Sequence, residues 1–149
     1  MLKESFSIVF KRPRETVFDA LTDLDRMARA GKEAGPLNVE LASVPGRPRT
    51  GLGSAVRIRS GIPSVGEVLC EVTEWDPPRR AARTLDNEHF GATISLGFDE
   101  APEGTRVNIE VELTPRSVMS KMMLPLIAGR IKAEKARMLD QIKGRIDAA

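Results

Sequence analysis

Residues 106–127 read RVNIEVELTPRSVMSKMMLPLI, and the spacing of their apolar side chains changes partway along. Every second residue from Val107 to Leu113 is apolar, which predicts a β-strand with one buried face. From Ser117 onward, apolar residues recur at helical spacing, which predicts a long C-terminal helix. Proline lacks a backbone donor, so we expect Pro125 to kink or split that helix near its start. A sheet with one apolar face must be covered, and this helix is the candidate cover.

The upstream sequence repeats the strand pattern, with turn-rich connections between the repeats. The predicted strands are Lys3–Phe10, Val56–Arg59, Val68–Thr73, Arg80–Leu85 and Ala92–Phe98. Two short helices are predicted after the first strand. The first is indicated by helical spacing over Arg14–Leu24, and the second is placed at Arg26–Ala34. Strands joined by short turns favour antiparallel pairing. We therefore predict an α+β fold: one domain over residues 1–149, in which a curved antiparallel sheet wraps around the long C-terminal helix.

The composition of the chain limits the classes of protein to which it can belong. The chain has 149 residues, of which 41% are hydrophobic and 30% charged, as is typical of a globular domain. A net charge of +2, five Phe, one Trp and no Tyr argue against a nucleic-acid partner. One cysteine excludes an internal disulfide and a multi-thiolate metal site, and no metal-ligand or phosphate-loop spacing occurs. We therefore expect neither a metal nor a cofactor.

The longest apolar runs are far shorter than the ~20 residues that a membrane helix needs. The first residues carry charges throughout and lack an apolar stretch of secretory length. These features predict a cytoplasmic protein with no integral membrane segment.

Four segments occur in an order that resembles a known superfamily. They are a first helix with a terminal Asp (Pro13–Asp23), a strand ending in a proline turn (Glu71–Arg80), a hairpin (Glu103–Val107) and the helix from Ser117. Their order, over nearly the whole chain, resembles the START/Bet v 1-like (SRPBCC) superfamily, and more narrowly its bacterial polyketide cyclase/dehydrase-type members. The resemblance implies a helix-grip fold with a cavity between sheet and long helix that binds apolar or amphipathic small molecules. It does not imply one activity, because members include carriers, cyclases and non-enzymatic proteins.

The cavity implied by this resemblance would be lined by inward-facing strand residues and by the start of the long helix. The predicted lining residues are Val56, Ile58, Val68, Cys70, Val72, Ile94, Leu96, Met119, Met122, Met123, Ile127 and Arg130. Methionine adapts to irregular space, so a cavity wall is one interpretation of the methionines; ordinary core or a dimer contact is the other. Cys70, among apolar neighbours, is interpreted as an inert buried thiol.

Polar candidates for chemistry are few, and we name Glu74, His89 and Arg130. Glu74 shares the parity of the inward residues of its strand, so it points inward unless the strand ends or bulges there. His89 is a possible general base, but its surroundings favour an exposed turn. Arg83 shares the parity of the inward residues of its strand and Arg130 lies near the apolar stripe of the long helix, so either is a candidate to hold a ligand carboxylate or carbonyl by a forked contact, with Arg130 the better placed. Arginine commonly extends from a core edge to solvent, and this is the interpretation that we favour for both.

Three functions remain open from the sequence. The first is binding or transport of a lipid-like or polyketide-like small molecule, by a monomer or homodimer. The second is a cyclase or dehydratase that uses the same cavity. The third is a protein-interaction module, which an exposed apolar patch at the Met-rich helix start would support.

Overall fold

The computed structural model describes residues 2–23, 40–48, 50–59 and 67–148. In these ranges the elements are β1 (Leu2–Phe10), α1 (Arg14–Thr22), β2 (Glu40–Ser43), β3 (Ala55–Arg59), β4 (Glu67–Asp76), β5 (Arg80–Asp86), β6 (Phe90–Ala101), β7 (Gly104–Pro115) and α2 (Val118–Ala148). The seven described strands form an antiparallel sheet in the order β1-β7-β6-β5-β4-β3-β2. Strands β2 to β7 therefore follow one another as neighbours, and β1 pairs with the last strand.

The alternation predicted from sequence gives the sheet one apolar face, which we call the inner face. Ile8 pairs with Val107, and Val107 pairs with Phe98, so the apolar side chains of three strands lie in one row. The buried core residues are Phe10, Val17, Phe18, Leu21, Ala81, Leu96, Phe98, Val107 and Ile146. Helix α1 and the last turns of α2 thus cover one end of the inner face.

Helix α1 contributes its apolar stripe to this core. Val17, Phe18 and Leu21 are its buried residues, at the spacing of one helical face. The Phe18 ring lies edge-on to Trp75 and tilted against Phe98, with centroid distances of 5.0 Å to each ring. Aromatic pairs in these orientations favour contact beyond the area they bury.

The end of α2 is fastened to the end of β1 by polar contacts. Lys143 Nζ donates to the Val9 carbonyl at 2.5 Å and lies 2.8 Å from Asp147 Oδ2. The backbone N–H of Lys11 donates to Asp147 Oδ1 at 2.7 Å. These bonds hold the helix terminus beside the core.

The predicted α+β architecture, antiparallel sheet and long C-terminal helix are confirmed. The expectation that Pro125 splits the helix is wrong, because α2 continues on both sides of it. A single missing donor removes one backbone bond while the flanking turns keep theirs. The second short helix predicted at Arg26–Ala34 lies outside the described residues. Neither described helix combines the length and the apolarity needed to span a membrane.

Gly104, in the β6–β7 hairpin, provides a test of the fold. Its φ is +148°, and a Cβ there would lie 2.3 Å from the Phe10 carbonyl oxygen. We expect Gly104→Ala to lower the free energy of unfolding by at least about 2 kcal/mol, measured by urea denaturation. Gly97→Ala is the control, since nothing lies within 4 Å of its Cβ position; equal losses in the two variants would contradict the prediction.

Asp147 provides a pH-dependent test of the contact between α2 and β1. Its hydrogen bond from Lys143 holds the pKa of the Asp147 carboxyl below its usual 3.8. A lowered folded-state pKa adds stability above pH 3.8, and that stability is lost as the pH falls through the folded pKa. We expect Asp147→Asn to cost at most about 1 kcal/mol at pH 7, with the difference from wild type shrinking below pH 3.8 in urea titrations. A difference independent of pH would contradict this account.

Candidate functional site

A narrow pocket lies where the end of α1 meets the inner face of the sheet. Its volume is about 10 Å³, the space of one water molecule rather than of a ligand. The lining residues are Thr22, Val72, Trp75, Ala81, Ala82, Arg83, Ile94 and Leu96. The wall is mainly apolar, with one cation.

A bulge in β4 decides which of its side chains face this pocket. The pairing of β4 with β5 shifts register between Val72 and Glu74, so Val72 and Trp75 both face inward although they are three residues apart. The Glu74 carboxylate instead pairs with Arg80 Nε at 2.7 Å and is 44% exposed. The strand thus bulges at this position, which is the exception under which an inward Glu74 was not expected, and the extra residue of the bulge reverses the alternation.

Arg83 is the charged side chain of the pocket wall. It lies on β5, opposite Val72 on β4 and Ile94 on β6. Its Nη2 donates to the carbonyl of Leu21, near the end of α1, at 2.8 Å. Burial lowers the pKa of the Arg83 guanidinium from its usual value, while the nearby Cys70 acts in the opposite direction. An arginine retains its charge at neutral pH even so, which places a cation in apolar surroundings.

Burial of the inner face decreases along the strands, away from α1. On β6, Phe98 and Leu96 are buried, whereas Ala92, with the same orientation, is half-buried. Its neighbours Leu85 on β5 and Leu113 on β7 are half-buried too. Helix α2 packs mainly against β1 and β7 in the described chain. We call the half-buried region around Leu85, Ala92 and Leu113 the open end of the inner face.

The seven cavity residues predicted from the strands lie on this inner face. Three of them line the pocket: Val72, Ile94 and Leu96. The other four form two cross-strand pairs between β3 and β4: Val56 with Cys70, and Ile58 with Val68. The sheet wall of the predicted cavity is thus brought together, with its polar group at Arg83.

The residues predicted from the helix are placed differently. Met119 and Met122 are 69% and 75% exposed, and Met123 is 39% exposed. Ser120 is buried instead, so the inward side of the first helical turns runs through Ser120 and not through Met119. These methionines lie outside the described pocket wall. The side chains of Ile127 and Arg130 lie outside the described part of the chain.

His89 lies in the turn between β5 and β6, as the sequence favoured. The Asn87 side-chain oxygen accepts hydrogen bonds from the backbone N–H groups of His89 and Phe90 at 2.9 and 2.8 Å. The imidazole is 40% exposed, and its Nε2 lies 3.3 Å from Glu88. His89 is therefore part of an exposed turn and does not line the pocket.

Sequence reasoning ranked Arg83 below Arg130 and did not consider Trp75 or Glu4 as inward residues. Arg83 occupies an inward position in the alternation of its strand, and Glu4 occupies an inward position in the alternation of β1. Simple alternation places Trp75 on the outer face, and it faces inward only because it follows the β4 bulge. Glu4 pairs with Val111, in the cross-strand row that reaches Arg83 through β6. Three strand spacings separate the two charged residues by roughly 14 Å, too far for a direct ion pair.

The described pocket wall contains few polar side chains. Besides Arg83, the polar side chain in the pocket wall is Thr22, whose hydroxyl donates to the Phe18 carbonyl at 2.7 Å. Within the described residues, no cluster of three or more His, Cys, Asp or Glu is arranged to hold a metal ion. The arrangement offers an apolar surface and one cationic donor.

A larger depression, of about 400 Å³, lies on the outer face of the sheet. Most of its wall is polar and includes Arg79 and Arg80. Arg79 pairs with Asp76 at 3.0 Å and Arg80 with Glu74 at 2.7 Å, so carboxylates neutralise both cations. The depression is therefore a poorer match for a hydrophobic molecule than the inner face.

Solved structures of other proteins share this architecture. Protein CV1439 from Chromobacterium violaceum has a TM-score of 0.67 at 15% identity, with 97% of each chain covered. Ara h 8.0201 has a TM-score of 0.68 at 13% identity, with 99% of each chain covered. The Aha1 dimer from Colwellia psychrerythraea has a TM-score of 0.67 at 16% identity, covering 99% of this chain and 97% of that one. Such identities show the fold alone, and they confirm the helix-grip arrangement.

Comparison by sequence gives two further findings. No curated protein matches this chain. The model of a family described as polyketide cyclase / dehydrase and lipid transport matches residues 1–147.

The chemistry of Cys70 tests the closure of the sheet wall. The thiol is buried, and burial raises its pKa above the usual 9.0. Since the thiolate is the reactive form, we expect native protein at pH 8 to react with a disulfide reagent at least about 100-fold more slowly than protein unfolded in urea. Comparable rates would show that this part of the inner face is open to solvent.

Proposed function

Because the chain belongs to the polyketide cyclase/dehydrase and lipid transport family, we propose that it binds a lipid-like or polyketide-like molecule with a carboxylate or carbonyl at its polar end. The family and the helix-grip fold support a ligand-binding role. The chemistry of the ligand is inferred from one observation: the Arg83 guanidinium lies in an apolar wall, beside Val72 and Ile94. As the sequence suggested, we place this binding in the cytoplasm.

Arg83 is the proposed anchor for the polar end. A guanidinium carries five donors in a planar fork that matches a carboxylate, and its hydrogen bonds to anions are stronger than neutral ones. The bond to the Leu21 carbonyl fixes the side chain against α1. Apolar surroundings strengthen the attraction for an anion, because water screens it less there.

The proposed position of the apolar part is along the open end of the inner face. The pocket beside Arg83 holds about 10 Å³, so a ligand chain needs other space. Leu85 and Ala92 continue the apolar surface from Arg83 and are half-buried. Covering such surface contributes on the order of 25 cal/mol per Å², so this region supplies the hydrophobic part of the affinity.

The described groups favour binding over a cyclase or dehydratase reaction. Proton transfer needs a group within about 3 Å of the reacting atom. Glu74 is on the outer face and His89 is in an exposed turn. Arg83 and Thr22 are the polar groups of the described pocket wall, and neither is a general base at neutral pH.

A substitution at Arg83 tests the anchor. Methionine has a similar length, fills irregular apolar space and removes a buried cation, so Arg83→Met is expected to fold. Its affinity for a long-chain fluorescent carboxylate should fall about 10- to 100-fold, the loss of a charge-assisted hydrogen bond. Affinity for the matching neutral alcohol should change less than about threefold. Fluorescence titration measures both, with emission from Trp75, the single tryptophan, as a second readout.

Arg80→Met is the matched control, because Arg80 is exposed and paired with Glu74 on the outer face. It should bind both probes as the wild type does. Equal losses of carboxylate and alcohol affinity in Arg83→Met would overturn the anchoring role. Failure of the wild-type protein to take up either probe would overturn ligand binding itself.

A further inference from the structure

The start of α2 carries an apolar surface that neither the fold nor the proposed ligand site uses. In the described part of the chain, six large hydrophobic side chains are exposed, and five of them lie within nine residues of α2. We call these five the α2 patch: Val118 (75% exposed), Met119 (69%), Met122 (75%), Met123 (39%) and Leu126 (75%). A concentration of exposed apolar side chains at one place marks an interaction surface.

The charged residues of the helix segment that carries the patch have one sign. From Arg116 to Ala133 the sequence has four basic residues and no acidic residue, and the next acidic residue is Glu134. Lys121 and Lys132 are exposed. Arg116 is partly neutralised by Asp86, at 2.6 Å. The first half of α2 therefore combines exposed apolar side chains with two exposed lysines, and its sequence contains no acidic residue.

We infer that this patch docks on an anionic lipid bilayer surface. A helix with an apolar side and basic flanking residues lies in the membrane interface, where apolar side chains enter the acyl boundary and lysines meet anionic headgroups. The alternative occupant is a second copy of this chain. In a two-fold contact centred on the patch, Lys121 and Lys132 of both copies would lie close together without a patch carboxylate to neutralise them. The charge pattern thus favours lipid.

The location of the patch fits this inference. Helix α2 begins just after β7 ends at Pro115, and β7 pairs there with the first residue of β6, Phe90. The half-buried inner-face residues Ala92 and Leu113 pair with each other two residues along. Docking through the patch therefore brings the bilayer to the open end of the inner face. The inference goes beyond the proposed function, since docking does not require a bound ligand.

Co-sedimentation with vesicles tests the docking. The wild-type protein should partition at least about tenfold more strongly onto vesicles of phosphatidylcholine with an equal part of phosphatidylglycerol than onto phosphatidylcholine alone, and added salt should reduce the difference. Met122→Glu combined with Leu126→Glu should reduce partitioning at least about tenfold, because it puts charge where the apolar contact forms. Lys121→Gln combined with Lys132→Gln should abolish most of the preference for phosphatidylglycerol.

Leu52→Glu is the matched control. Leu52 is 63% exposed, in the connection before β3, and belongs to no part of the patch. It should bind vesicles as the wild type does, and circular dichroism should show that all variants are folded.

Equal losses in the Leu52 and patch variants, or no partitioning of wild type, would overturn the inference. So would a wild-type dimer in sedimentation velocity that the patch substitutions convert to a monomer without any effect on vesicles. Probe binding in vesicle-free solution is measured separately, so a failure of docking is distinguishable from a failure of the ligand site.

Discussion

Phe18 packs between Trp75 and Phe98, with ring centroids 5.0 Å from each, and this contact fixes α1 on the inner face of the sheet. Two helices are available in the described chain to cover the apolar face of seven strands. Helix α1 and the last turns of α2 close one end, where Phe10, Val107 and Ile146 are buried. The rest of the inner face is less covered as a consequence. The proposed binding surface lies here because the two helices cover less than the full length of the inner face.

The position of α1 also determines the polar character of the site. The Leu21 carbonyl, near the end of the helix, accepts the bond from Arg83. The β4 bulge turns Trp75 inward against Phe18 and leaves Val72 opposite Arg83. Burying a cation costs stability, since its hydration is only partly replaced. The same burial strengthens the attraction of the Arg83 guanidinium for an anion. Burial of Arg83 therefore both lowers the stability of the fold and supports the proposed binding of a carboxylate.

The architecture was readable from sequence because periodicity reports which face of an element is buried. Alternation from Val107 to Leu113 and the helical stripe at Val17, Phe18 and Leu21 both correspond to structure. The orientation of Glu74 stayed conditional, because a bulge leaves no reliable mark in an alternating sequence and reverses every side chain after it. Whether Met119 and Met122 line a cavity, belong to the core or contact a partner was left open by the sequence for a different reason. An apolar residue on a helix looks the same in sequence whether it faces the core or a partner.

Helix α2 divides into two halves with different chemistry, and this division links the core to the surface. Its second half contains both acidic and basic residues, and two of them fasten it to the end of β1: Asp147 accepts from the Lys11 N–H and Lys143 donates to the Val9 carbonyl. Its first half contains basic residues and the exposed patch. One continuous helix across Pro125 therefore connects the closed end of the sheet to a surface suited to lipid. The second half packs into the core at Ile142 and Ile146, whereas the first half leaves its methionines exposed. These methionines are thus available to contact another surface.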